Sequence, residues 1–403
     1  MAKKALLTVY GVHRKVKKGF ITESAVHHKV KKAFITVGGV YRPCWSEGMG
    51  IAYYGQITPM NSYGRNEFGT ASNGSYAVFA HGITNSEYTD SVVGYNASLV
   101  RSETATYRYS QQLQGGRVGN TAIFQGGIAY DGEANYTTSL NFSVDASLTI
   151  KKSDTGHGRW EHKAATAGNR VVFYGGRILD VYYDEDADEW YEEAGFQAYC
   201  DAYTESLTHT SEYHSGLIAQ MRYPAGASVG NYAVFGGGFD ADDWESDRVA
   251  AVNSSLQVSY LGLSKKRYDH TATNVGNYAL FAGGFNNDDY ELDTVDAFNA
   301  SLTRTSAPPL STASEGKVST TIVVDGVEYA VIAGGVTDID IVNDVDVYDA
   351  SLTRTTDSNV FNADNRPQGG YDRSNAITPV GNYILYAKNG TQYNGRVDAL
   401  MVG

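Results

Sequence analysis

Carboxylates gather in six stretches of this chain, joined in five of them by aromatic rings, a pairing of residue types suited to binding sugars or cations. They read ITNSEYTDS (83–91), IAYDGEANYTTS (128–139), RILDVYYDEDADEWYEEAG (177–195), FDADDWESD (239–247), FNNDDYELD (285–293) and VTDIDIVND (336–344). Tyr88, Tyr130, Tyr136, Tyr183, Trp190, Trp244 and Tyr290 offer flat apolar faces for stacking on sugar rings, while adjacent Asp and Asn side chains can hydrogen-bond hydroxyls. The same oxygens suit Ca²⁺, and Asp184, Asp186 and Asp188 form the densest candidate set. No other cofactor is indicated. Asp, Asn and Gly are also the residues that exposed turns use, which accounts for any one stretch alone. It does not account for Trp and Tyr recurring in five of the six, because exposed rings add nothing to solubility.

Other chemistry is sparse. His13, His27 and His28 recur among lysines with a 14-residue period, which fits one face of a strand better than a metal site. Cys44 and Cys200 are the only cysteines, too few for a disulfide scaffold. The stretch from Ser153 to Trp160, SDTGHGRW, has a superficial likeness to the Asp-box of sialidases, but its Asp and Gly fall at the wrong spacing. No P-loop, nucleophile elbow or zincin helix occurs, so the expectation is a protein that is not an enzyme. Paired carboxylates for glycoside hydrolysis, drawn from different repeats, would leave no signature in the sequence.

The elements that must position these residues are strands. Among 403 residues there are 44 glycines, 31 tyrosines and only 7 prolines, a composition rich in turns and aromatics. Hydrophobic residues at 42% can fill a core, and no apolar run approaches the roughly 18 residues of a membrane helix, so a soluble chain is expected. The N-terminus carries no apolar stretch of signal-peptide length. Charge is divided unevenly. Residues 1–45 hold ten Lys/Arg against Glu23, a net +9, so the remainder carries −22 of the overall −13. Opposite fields of this kind attract different partners.

Two repeats are nested in the chain. VHRKVKKGFIT (12–22) returns as VHHKVKKAFIT (26–36), with partial copies on either side, and the series ends at Trp45. Each 14-residue copy reads as two short strands with their turns. Residues 1–45 contain too few large apolar side chains to fold securely alone, so this segment is expected to oligomerise or to dock on another protein, with Lys17, Lys18, Lys31, Lys32 and Trp45 as the anchoring residues. The long repeat fills residues 46–403. Its marker is a strand that follows a Gly-Asn turn and ends in glycines: GNTAIFQGG (119–127), GNRVVFYGG (168–176), GNYAVFGGG (230–238) and GNYALFAGG (276–284), with three variants beginning at Ser75, Glu328 and Gly381. A second strand follows each variable stretch and carries a Ser-Leu marker at Ser98, Ser147, Ser206, Ser255, Ser301 and Ser351.

A period near fifty with glycine-ended strands predicts one four-stranded propeller blade per repeat. The seventh copy stops at RVDALMVG, before its last strand, and IAYYGQITPM (51–60) supplies the missing strand from the other end. The fold expected is all-β: a seven-bladed propeller over 46–403, closed by its N-terminal strand and preceded by the repetitive β segment. Because every variable stretch joins the same two strands, the six acidic and aromatic stretches should share one face.

Lys266-Arg267-Tyr268-Asp269-His270-Thr271-Ala272-Thr273 followed by NYALFAGG resembles the Arg-x-x-His strand and di-glycine strand of kelch repeats, and DVDVYDASLTRT resembles their tyrosine strand. The resemblance covers about residues 50–403 and departs from the family in lacking the Trp after that tyrosine, with Leu352 and its equivalents near its place. It implies the propeller fold but no single function, since kelch propellers act as oxidases, adaptors and lectins. The family's oxidases hold copper through Tyr and His beside a Cys cross-linked to Tyr; here Cys200 sits inside a repeat strand, where a small buried residue is expected. The chain's style, with the KVKKAFITVGGVYRPCW leader, is similar to structural proteins of phages and prophages of Gram-positive bacteria.

These readings lead to an expected virion protein: a tail or fibre appendage, attached to other virion proteins and oligomerised through residues 1–45, with a propeller that meets a glycan or protein of the host surface. The alternative is an architectural neck, head-fibre or decoration subunit without a receptor. Nucleic acid is not the expected partner, because the leader's lysines lack interleaved aromatics and the −22 ring repels a polyanion.

Overall fold

The computed structural model describes residues 19–23, 26–30, 32–37, 40–46 and 50–402, with breaks at 62–64, 85–86, 131–134, 185–188, 215–219, 243, 359, 362–376 and 388–394; side chains are described from residue 50 onward, except those of 180–194. All of the regular elements described are strands or turns. From residue 51 on they form seven four-stranded antiparallel sheets, the blades of a β-propeller. The innermost strands are Gly69–Ser72, Gln114–Val118, Lys163–Ala167, Ala225–Val229, Thr271–Val275, Glu315–Val324 and Ile377–Val380. They line a central channel with hydroxyls such as Thr70, Thr166, Ser228, Thr273 and Thr321. Each touches the next in cyclic order, and the seventh touches the first.

Local chemistry sets each blade. The inner strand turns into the second through Gly-Asn, so that Val275 pairs with Tyr278 across a two-residue loop. Gly276 has φ +54° while Asn277 stays on the ordinary side, the pattern of a II′ hairpin turn. A Cβ on Gly276 would lie 2.7 Å from the Cβ of Ala350 in the following blade, so the turn glycine also serves packing between blades. The second strand is buried along most of its length, as Tyr278–Ala282 shows. It ends in glycine because the chain entering the blade crosses there: a Cβ on Gly284 would stand 2.6 Å from the Tyr268 carbonyl oxygen. The Gly284 N–H donates to the Ser314 carbonyl of the next blade at 3.0 Å, and Gly82, Gly127, Gly176 and Gly238 make the equivalent bond.

The Ser-Leu marker lies in the turn after the third strand and not within the strand. Asn299 Oδ1 accepts the Ser301 and Thr303 amides, which turns the chain and leaves Leu302 at φ +60°. Leu302 then packs on the apolar cluster between its own blade and the preceding one. Seven such clusters occur among the described residues, each bridging two neighbouring blades. Among the described residues no cluster is confined to one blade, so each blade depends on its neighbours to bury its apolar faces.

Closure joins the chain ends. Ile51–Ile57 pairs antiparallel with Val397–Val402 as the outer strand of the seventh blade, with a register shift between Ala399 and Leu400. Tyr53 Oη donates to Asp398 at 2.6 Å, and Arg396 grips the same carboxylate. In the leader, Gly19–Glu23 pairs with Val26–Val30 and Lys32–Val37 with Val40–Ser46. Each hairpin joins the end of one 14-residue copy to the start of the next.

Candidate functional site

In an antiparallel four-stranded blade the connection from second to third strand and the connection between blades emerge on the same face. The six acidic and aromatic stretches all occupy that face. In four of them the stretch folds into a small hairpin of its own: Ile83–Thr84 with Glu87–Tyr88, Ile128–Tyr130 with Asn135–Thr137, Arg177–Asp184 with Glu189–Phe196, and Phe285–Asn286 with Tyr290–Glu291.

Neighbouring stretches are stitched together around the ring. Tyr88 Oη donates to Asn135 Oδ1 at 3.0 Å, its ring lies 5.3 Å from that of Tyr109, and Tyr109 Oη donates to the Tyr130 carbonyl at 2.8 Å. Burial pushes the Tyr88 phenol above its ordinary range. Thr137 bonds the backbone of Leu179. Glu245 accepts from the amide and side chain of Asn287 and meets Lys266, which also meets Asp288. The Asp338 amide donates to Glu291 at 2.6 Å. Many acids of this face therefore hold the loops in place and are committed to protein partners, a use that the sequence did not separate from ligand binding.

The rings divide differently. Tyr130 and Tyr136 are each 40% exposed, Tyr290 61% and Trp244 64%. Trp244 stands on a tight loop whose Asp240 Oδ1 accepts the amides of Asp242 and Trp244. In the long third-blade hairpin the backbone register pairs Tyr183 with Trp190 and Asp184 with Glu189. Asp186 and Asp188 of the Ca²⁺ set lie outside the described residues, as do Lys17, Lys18 and Lys31 of the anchoring set. Lys32 pairs in register with Ser46, and Trp45 with Ala33. Cys200 is fully buried, and burial pushes its thiol up to about 12, leaving it protonated and inert at neutral pH.

Sequence reasoning missed a second constellation on the third blade, whose strands run Lys163–Ala167, Arg170–Tyr174, Tyr199–Thr204 and His209–Tyr213. Buried Asp201 is the centre. Arg159 and Gln125 donate to its Oδ2, as does the His157 amide. His157 Nδ1 stands 2.9 Å and His209 Nε2 2.6 Å from Oδ1. Arg159 is the strongest influence holding the Asp201 carboxyl well below the usual carboxylate range, against the opposing effect of burial. Tyr199 stacks on the His157 ring at 3.8 Å and Tyr203 on His209 at 4.9 Å, while Tyr213 packs edge-on against Tyr199. One signal was present in the sequence: SLTHT at Ser206–Thr210 replaces the SLTRT of Ser301–Thr305 and Ser351–Thr355.

The Arg-x-x-His segment has a structural role. Arg267 is buried, donating to the Gly283 and Thr294 carbonyls and to Asp296 at 2.8 Å, while its own carbonyl accepts the Gly238 amide. The His270 side chain lies beside it with both ring nitrogens enclosed, and their burial drops the ring to about 3.

No family model matches the chain, and no curated protein matches it. Solved structures do, among them one titled "Structure of YjhT", at a TM-score of 0.53 and 11% identity, covering 75% of this chain and 99% of that one. At that identity the likeness concerns the fold alone: the chain is a seven-bladed all-β propeller.

Proposed function

We propose that this chain is a recognition component of a phage particle, built on a kelch-type propeller, whose loop face binds a glycan or protein on the host surface. The observation that carries the reading is the state of that face. Trp244, Tyr290, Tyr130 and Tyr136 are exposed, yet they stand on loops fixed by hydrogen bonds within and between blades. Rigid exposed aromatics lose little entropy when a ligand stacks on them, which is how sugar and protein surfaces gain affinity. The basic repetitive leader supports an attachment role, since its +9 field is opposite in sign to the −22 of the ring and can meet an acidic virion partner without the propeller competing for it. The Arg267-x-x-His270 segment, with its arginine fully buried, and the glycine strand ends support the kelch relationship.

Adsorption of host cells to full-length protein carrying Trp244→Ala and Tyr290→Ala tests the reading. A loss of at least tenfold is expected, as two stacking contacts each contribute about 1 kcal/mol or more. Undiminished adsorption favours the architectural role, with the propeller contacting only other virion proteins.

A further inference from the structure

Three potential ligand atoms converge on the outer edge of the third blade. His157 Nδ1, His209 Nε2 and an Asp201 carboxylate oxygen lie within 4.8 Å of one another. Comparison among blades makes this arrangement informative. The register places His209 opposite Tyr203 as Arg304 lies opposite Phe298 and Arg354 opposite Tyr348, so the three residues occupy one repeat position. In the fifth blade Arg304 brings a guanidinium to 3.5 Å from Asp296 Oδ1, and in the sixth Arg354 brings one to 3.8 Å from Asp346 Oδ1. The fifth blade thus surrounds its carboxylate with two permanent cations, Arg267 and Arg304. The third keeps the first of these as Arg159 but replaces the second with an imidazole, and the blade-to-blade connection adds another. One positive charge has been exchanged for two nitrogen donors aimed at the same oxygen.

We propose that His157, His209 and Asp201 form a binding site for a divalent transition ion of the Zn²⁺ type, which takes the electrostatic place that Arg304 fills two blades away. Two imidazoles and a carboxylate are a donor set for such ions, and leave a fourth position open. Oδ2, held by Arg159, Gln125 and the His157 amide, fixes the carboxylate from behind as outer-shell partners do. Stacking by Tyr199 and Tyr203 fixes the two rings. Ligand bonds near 2.0–2.1 Å put donor atoms roughly 3.3 Å apart, so the 2.6 and 2.9 Å spacings must open by roughly 0.7 and 0.4 Å, and the two imidazole nitrogens, within 4.8 Å of each other, must settle at the same separation. The His157 side chain is 32% exposed and that of His209 16%, which leaves the site reachable from solvent.

The test is equilibrium dialysis of the full-length chain against Zn²⁺ alone at neutral pH, with Co²⁺ and its visible absorption as a second probe. His209→Arg restores the residue that the fifth and sixth blades already accommodate, and His157→Ala changes only the connection; circular dichroism checks that both variants fold. Wild-type protein should hold one more ion per chain than either variant, with affinity at the site falling by more than the roughly 10–100-fold that outer-shell changes cost. Ions held by histidines elsewhere, including those of the leader, cancel in the difference. Equal uptake by wild type and His209→Arg, or loss in one variant but not the other, overturns the site and leaves the histidines as hydrogen-bond donors to Asp201.

Discussion

Asp201 and Asp296 occupy the same position in their blades, each buried against an equally buried arginine. Such a pair adds little net stability by itself, but breaking it strands a charge. Arg267→Met should therefore cost about 3–5 kcal/mol in denaturant unfolding, and a cost below 1 kcal/mol would mean that water reaches Asp296. Lys317 presents the opposite case. It is buried, donates to the Gly334 carbonyl at 3.0 Å, and burial lowers its ammonium to about 8. Below that value the folded chain bears the cost of a buried charge, so Lys317→Met should raise the unfolding midpoint at pH 7, by an amount that shrinks above pH 8 as the amine neutralises.

Buried histidines give the fold an acid limit. Burial depresses His81 and His270 to about 3 and His162 well below 6.5. The unfolded chain binds these protons near pH 6.5 and the folded chain does not. Their contribution is thus complete above 6.5 and declines as the pH falls toward 3, by up to about 1.4 kcal/mol per pH unit for each ring. Unfolding midpoints measured at pH 7, 6 and 5 should fall in that order; a midpoint unchanged down to pH 5 would show that the rings are hydrated in the fold.

At the scale of the strand and turn, two glycines separate backbone strain from packing. Gly276 and Gly326 both have positive φ, but a Cβ on Gly276 meets Ala350 at 2.7 Å whereas one on Gly326 meets nothing within 4 Å. Both alanine variants pay the left-handed penalty of about 1 kcal/mol, and Gly276→Ala should add a further cost of about 1–3 kcal/mol for overpacking at the junction of two blades. Equal effects in thermal unfolding would mean that the turn can move away from its neighbour. The loop hairpins obey the same logic: acids such as Glu245 and Glu291 were legible as an acidic face, but their pairing with Asn287 and Asp338 was not. Those contacts cross from one blade to the next, and strand pattern describes only what happens within a blade.

For the molecule as a whole, cooperativity follows from seven apolar clusters that each belong to two blades. Removing the closing strand Ile51–Ile57 would expose the edge of Val397–Val402 and strip the Tyr53–Asp398 bond. A chain beginning after Pro59 should unfold at lower temperature than one beginning at Ser46 and should aggregate through its open edge. Light scattering across both would read this directly, and comparison of either with the full chain tests whether the leader assembles copies.

The sequence by itself determined the number of blades, the glycine-ended strand that marks each and the joining of the two chain ends. Those features depend on local matters: alternation of apolar residues, glycines at positive φ in two-residue turns, and a repeat that breaks off at one end and resumes at the other. Tertiary structure alone decided which acids of the loop face hold neighbouring loops and which rings remain exposed. It also decided that His157 and His209 meet at Asp201, although the first is 44 residues distant and the second 8. The SLTHT departure marks His209 in the sequence, but its meaning depends on the curvature of the ring, which brings the connection from the second blade against the edge of the third.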